Sequence, residues 1–331
     1  MGEQQPRIGR VDAFVRAAQH CIHGKRWTRI HPAIVAAAAG GDSLPLHRIS
    51  CMTRLLTLRG LIATIAALLV TGCQSVAFGV ANRGVAAPDA TAVYDADWKL
   101  SVDIYRPVPG TASPRPVVVF FYGGGWKSGK RDQYRFVGRR LAQQGVLAIV
   151  ADYRTWPRTT FPGFVEDGAR AVEWSRDHAR EYGGDAGRLY VMGHSAGAQI
   201  AALLGTDRRY LAARGLAPRD LAGVIGLAGP YDFAIEGGYE NVFGTRSRWP
   251  DAQAINFVEG DEPPFLLVHG TGDRVVESSD SQQLADLVRA QGGQADVVLL
   301  QGRGHIAPLA ALYDPARDPA VLEAIRAFLK H

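Results

Sequence analysis

Three side chains in the second half of the chain have the types and order needed for nucleophilic chemistry: Ser195, Asp273 and His305. Ser195 stands in Gly193-His194-Ser195-Ala196-Gly197, between the apolar run Leu189-Tyr190-Val191-Met192 and a helix-prone stretch over 198–204. A G-x-S-x-G pentapeptide is a weak signal alone. Between a strand and a helix it predicts a sharp turn that lifts the hydroxyl to the top of a sheet, near the positive end of the helix. A serine hydroxyl becomes a useful nucleophile when a base takes its proton, and the base needs an acid to hold it in one tautomer.

On such a turn the partners are expected in the order Ser, Asp or Glu, His, each just after a strand. Five histidines follow residue 74: His178, His194, His269, His305 and His331. His194 lies inside the turn, His331 ends the chain, and His178 is expected on the exposed side of a charged helix. His269 closes a strand in the segment that should supply the acid. His305 follows the run 297–300 in Gln301-Gly302-Arg303-Gly304-His305 and is the expected general base. Asp273, in Gly270-Thr271-Gly272-Asp273 after the run 265–269, is the expected acid, with Glu277 and then Asp232 as alternatives.

A developing oxyanion needs N–H donors. Phe120-Phe121-Tyr122-Gly123-Gly124-Gly125-Trp126 ends an apolar run with three glycines, whose backbone can turn N–H groups inward. Gly124 and Gly125 are the expected donors, without a firm choice among the three, together with the N–H of Ala196. Gly124, Gly129 and Lys130 fall at the spacing of a phosphate-binding loop, but Arg131 stands where a Mg²⁺-binding Ser or Thr is required.

Alternating strands and helices must position these groups. Strand-like pieces at 91–95 and 100–105 precede buried-type runs at 117–122, 146–151, 189–192, 223–228, 265–269 and 297–300. Helical patterns lie before Gly145, before Gly183-Gly184, before Gly292-Gly293 and at the C-terminus. Near-continuous apolar strands separated by helices imply a mostly parallel sheet covered on both faces, with ligands beyond the carboxyl ends of its strands.

The 331 residues are 47% hydrophobic and 21% charged, which excludes a disordered chain. The net charge of +5 comes from the N-terminal region, because residues 74–331 hold 28 Lys+Arg against 29 Asp+Glu. No basic footprint for nucleic acid remains there. All three cysteines, Cys21, Cys51 and Cys73, fall early, so no disulfide or cysteine-ligated metal is possible after Cys73.

From Met52 the sequence MTRLLTLRGLIATIAALLVTGCQS has a basic start, a short apolar stretch and small residues before Cys73. It resembles a bacterial lipoprotein signal peptide over 52–73, cleaved before a lipid-modified Cys73. By that reading 1–51 is a non-native upstream or disordered extension and 74–90 a linker. The mature protein is lipid-anchored in the bacterial cell envelope, and Gln74-Ser75 favours the outer membrane facing the periplasm.

The stretches Tyr122 to Trp126, Asp152-Tyr153-Arg154, Phe161-Pro162 with Glu166-Asp167, Gly193 to Gly197, Gly229-Pro230-Tyr231-Asp232, His269 to Asp273 and Gly304-His305 carry a likeness. They resemble the α/β-hydrolase superfamily, nearest the hormone-sensitive-lipase-like and feruloyl-esterase-like carboxylesterases. The isoprenylcysteine-methylesterase-like and kynurenine-formamidase-like groups are similar. The resemblance implies an α/β-hydrolase domain over 91–331 with a mostly parallel eight-stranded sheet and a small or absent cap. It also implies Ser195 as nucleophile, Asp273 as acid, His305 as base, and Gly124, Gly125 and Ala196 as oxyanion donors. A small-molecule carboxylic ester of short or medium acyl length, or an aryl ester, is the implied substrate, with no cofactor and no metal. Tyr122 departs from the histidine usual in the lipase-like group, which implies a different brace for the glycine loop. Asp152 and Arg154 are expected as a structural brace, and the segment 236–262 as a small lid. The same residue set would serve an arylformamidase or other amide-cleaving hydrolase, and a catalytically silent envelope scaffold is the alternative from another class.

Overall fold

The computed structural model describes residues 77–107 and 114–330. The extension 1–51, the signal-like segment 52–73 with Cys73, and His331 lie outside the described residues. Two units are distinguished, Met1–Val80 and Ala81–His331; of the first, only a helical turn at 77–80 is described.

The second unit opens with a hairpin of β1 (Ala90–Asp95) and β2 (Leu100–Tyr105). β2 runs antiparallel to β4 (Leu147–Ala151). From there β3 (Arg115–Phe121), β4, β5 (Gly184–His194), β6 (Gly223–Leu227), β7 (Phe265–Gly270) and β8 (Ala295–Leu300) are parallel. The order across the eight-stranded sheet is β1-β2-β4-β3-β5-β6-β7-β8. This is the mostly parallel sheet that the sequence pattern implied and the α/β-hydrolase fold that the resemblance implied.

The strands form where the apolar runs lie because both faces of the sheet are covered. All five residues of β4, all five of β6 and the span Val117 to Phe121 of β3 are buried, as a parallel sheet between helices demands. β1 alternates half-buried and exposed positions, which suits an edge strand.

Helices α1 (Arg135–Ala142), α2 (Gly163–His178), α3 (Ala196–Thr206), α4 (Ser278–Ala290), α5 (Ala307–Tyr313) and α6 (Pro319–Phe328) flank the sheet. α1 buries Phe136, Val137 and Leu141 on one face. α3 is apolar all round apart from Gln199 and Thr206, and all its residues are buried. Such a helix belongs in the core, and it packs against β5, β6 and α2.

Two segments differ from the sequence reading. β5 starts at Gly184, five residues ahead of its apolar run, because Gly184 pairs with Arg115 across an irregular register. Residues 82–89, read as linker, are tied to the start of α1: Asn82 Nδ2 donates to Gln133 O (2.7 Å), and Asn82 Oδ1 accepts from the Phe136 N–H (3.0 Å). Between β6 and β7 lie only the short helix Glu240–Phe243 and the 3₁₀ turns Arg246–Ala252 and Ala254–Phe257, a small lid without a cap domain.

Candidate active site

Ser195 sits between β5 and α3 with φ 53° and ψ −122°, a conformation that a side chain rarely adopts. The two glycines of the pentapeptide make this turn possible. A Cβ on Gly193 would stand 2.1 Å from the Gly197 carbonyl oxygen, and one on Gly197 would stand 2.1 Å from that of Phe121. The Ser195 N–H donates to Leu227 O (2.9 Å), so β6 pins the turn from its other side.

The structure brings the three expected side chains together. Ser195 Oγ lies 2.9 Å from His305 Nε2, and His305 Nδ1 lies 2.7 Å from Asp273 Oδ2. Nδ1 therefore carries the proton toward the carboxylate, and Nε2 presents its lone pair to the serine hydroxyl. The Asp273 side chain is fully buried and that of His305 nearly so. Burial pushes the Asp273 carboxyl up, but hydrogen bonds from His269 and His305, the nearby His305 and the Val275 N–H outweigh it and hold the group well below the usual carboxylate range. The alternative acids fall elsewhere: the Glu277 and Asp232 residues are exposed.

The glycine loop stands beside this cluster. Gly124 (φ 140°) and Gly125 (φ 59°) need the conformational freedom of glycine, and Gly124 O closes the turn by accepting the N–H groups of Lys127 (3.1 Å) and Ser128 (3.2 Å). A Cβ on Gly123 would meet Ser195 Cβ at 3.2 Å, so the loop lies directly against the nucleophile turn. Among the described residues the N–H groups of Gly124 and Gly125 donate to no protein group. The Ala196 N–H is in the first turn of α3, where no intrahelical acceptor exists.

Tyr122 braces the loop through its ring and its carbonyl. Its ring stacks on Tyr153 (4.5 Å between centroids) and Tyr134 (5.7 Å), and its carbonyl accepts from Tyr153 Oη (2.7 Å). Trp126 fixes the other end of the loop. It is buried against Phe233, Phe243 and Tyr239, and its indole N–H donates to Gln199 Oε1 (3.1 Å). Gln199 Nε2 donates in turn to Ala252 O (2.8 Å), so one buried amide joins the glycine loop, α3 and the lid. Lys127 Nζ adds a bond to Gly238 O (2.9 Å). The expected brace behind the site is present: Arg154 forks onto Asp167 (2.7 Å), and Arg131 bridges Asp103 and Asp152.

Sequence reasoning passed over three groups in this cluster. His194 is buried, and its Nε2–H donates to His305 O (3.1 Å), which ties the His305 backbone to the end of β5. Burial and the neighbouring His305 push His194 down to about 3, so it stays neutral. His269 and Ser281 lie on the far side of Asp273. His269 stands at a strand end, the signal that could have found it, and nothing in the sequence marks Ser281. His178 is half-buried, not exposed, because its ring stacks on Trp174 at 4.3 Å. Among the described residues no cluster of three or more His, Cys, Asp or Glu is arranged to hold a metal ion.

An aspartate, an imidazole and a hydroxyl in line, beside a glycine loop on this fold, have the arrangement that nucleophilic acyl transfer requires. The family BD-FAE matches residues 102–288, more than half of the chain, and the chain belongs to it. Isoprenylcysteine alpha-carbonyl methylesterase of Arabidopsis thaliana is 29% identical over 236 residues, covering 64% of this chain and 55% of its own. Esterase LipC of Mycobacterium tuberculosis is 31% identical over 259 residues, covering 72% and 63%. A thermophilic esterase structure from Thermogutta terrifontis superposes with a TM-score of 0.62 at 25% identity, covering 72% of this chain and 91% of that one. The chain spans about half to three-fifths of the length of the curated relatives it matches.

Proposed function

We propose that this chain is a serine carboxylesterase acting on small carboxylic esters through Ser195, His305 and Asp273. The observation that carries the reading is the unbroken run of contacts from Asp273 Oδ2 to His305 (2.7 Å) and from His305 to Ser195 Oγ (2.9 Å). Membership of a family whose similar proteins are named as esterases supports it.

In the first half-reaction Ser195 Oγ attacks the ester carbonyl carbon while His305 Nε2 takes the hydroxyl proton. The tetrahedral oxyanion receives hydrogen bonds from the N–H groups of Gly124, Gly125 and Ala196. His305 then protonates the leaving alkoxide, the alcohol departs and an acyl-serine remains. Water, losing a proton to His305, attacks the acyl carbon. Collapse of the second tetrahedral intermediate releases the acid and returns the proton to Ser195. A small lid between β6 and β7 without a cap domain favours short or medium acyl groups and aryl esters as substrates. The segment 52–73 supports a lipid anchor at Cys73 that holds the domain at a bacterial outer membrane facing the periplasm.

The test is turnover of p-nitrophenyl acetate and of N-formylkynurenine by the wild type and Ser195→Ala. Ester cleavage is expected to dominate, and the variant is expected to lose about 10⁶-fold in kcat with its fold intact. A variant that keeps even a tenth of the wild-type rate rejects Ser195 as nucleophile.

A further inference from the structure

Asp273 is shared between two imidazoles. Its Oδ2 receives His305 Nδ1 at 2.7 Å and His269 Nε2 at 3.2 Å, while its Oδ1 accepts the N–H groups of Val275 (2.8 Å) and Val276 (3.1 Å). Those four donors fill the four lone-pair positions of a carboxylate. His269 Nε2 also faces Val276 O at 3.2 Å, so this nitrogen looks onto two acceptors and must carry a proton. Its Nδ1 lies 2.7 Å from Ser281 Oγ, whose hydroxyl donates to it. His269 and Ser281 are both wholly buried. The result is a second serine–histidine pair, Ser281 and His269, mirrored across one aspartate from Ser195 and His305, with no access to substrate.

We propose that His269, set by Ser281, is a positioning residue that tunes the base: its N–H takes part of the Asp273 charge and fixes which carboxylate lone pair faces His305. The proposal rests on the serine-esterase reading above. A hydroxyl donating to one ring nitrogen makes the N–H on the other a stronger donor, so Ser281 strengthens the His269–Asp273 bond. A carboxylate with all four lone pairs engaged cannot rotate, and it stabilises an imidazolium less than one relieved of a donor. The other ionisable groups facing the pair are His194 from β5, His305 itself and Asp280 from α4. Asp280 accepts the Tyr231 N–H at 3.0 Å.

Removing the donor frees the Asp273 carboxylate to turn out of line with His305, which lowers kcat, and leaves its charge to hold the protonated form of His305 more firmly, which moves the acid limb. For His269→Leu we expect kcat on p-nitrophenyl acetate to fall about ten- to a hundredfold with KM unchanged, and the acid limb of kcat/KM to move to higher pH. Gln places an amide N–H near the position of Nε2, so His269→Gln should recover to within about threefold of wild type. Ser281→Ala deletes only a hydroxyl, so it tests the same point if His269→Leu does not fold. Its acid limb should move in the same direction by less. Unmoved acid limbs in the folded variants, or a rate loss that Gln does not rescue, would reduce His269 to a packing residue. If Ser195→Ala retained turnover, the esterase reading itself would fail. If Ser195→Ala is dead while His269→Leu behaves as wild type, only the present inference falls.

Discussion

Replacing Asp273 by Asn tests how the base is held, and the structure allows the size of the effect to be worked out. The carboxylate accepts two imidazole N–H groups on Oδ2 and two backbone N–H groups on Oδ1 in a fully buried position. An asparagine has one accepting oxygen, so its NH₂ must face one of those donor pairs. The backbone N–H groups of Val275 and Val276 cannot change, whereas an imidazole can move its proton. The amide oxygen therefore turns to the backbone and the NH₂ takes the place of Oδ2; His305 Nδ1 gives up its proton to Nε2, and His269 moves its proton to Nδ1, where Ser281 Oγ can accept it. His305 Nε2 then points an N–H at Ser195 Oγ and cannot accept the serine proton. Recovering the competent tautomer requires the NH₂ to face both backbone donors, at about 1–3 kcal/mol for each buried clash, or about 2–6 kcal/mol together. At 1.36 kcal/mol per tenfold, Asp273→Asn should lose between about 30-fold and about 3 × 10⁴-fold in kcat, with KM little changed. Steady-state hydrolysis of p-nitrophenyl acetate reads this directly, with circular dichroism to confirm the fold. A kcat above a third of wild type would refute the tautomer argument. A loss confined to KM would move the role of Asp273 from chemistry to binding.

Two further outcomes follow from the site and the N-terminal segment. His194 drops from an ordinary 6.5 to about 3 on folding, so between those values the unfolded chain binds a proton that the folded chain does not. Its contribution to stability is full above about pH 6.5 and shrinks as pH falls, by up to about 1.4 kcal/mol per pH unit. Urea unfolding at pH 6 and pH 5 should thus show a shallower loss for His194→Asn than for wild type, and equal slopes would contradict the assignment. For the anchor, wild-type protein made in a bacterial host should incorporate labelled palmitate and Cys73→Ser should not. Mature protein beginning upstream of Cys73 would overturn it.

What the sequence revealed and what it concealed separate along a physical line. Ser195, Asp273 and His305 were legible as candidates because each follows an apolar strand, and a parallel sheet carries all its strand ends to one edge. The glycines were legible for a related reason: only a residue without Cβ lets α3 approach β3 as closely as Gly197 does. His269 also ends a strand, yet its role was missed because one imidazole sufficed for the reaction and the second has meaning only beside Asp273 Oδ2. Ser281 and Gln199 were not legible at all. Each lies within a helix, one reaching a strand-end histidine and the other reaching Trp126 and Ala252, and no periodicity or spacing encodes such a meeting. The sequence motifs thus identify groups that must be particular residues because the backbone or the reaction demands it. The groups that hold them in register are chosen by tertiary packing. A buried polar side chain there must find partners, and leaving one unpaired costs about 1–3 kcal/mol. Asp273 Oδ2 carries a second imidazole for this reason, and the residue is the junction of two serine–histidine pairs.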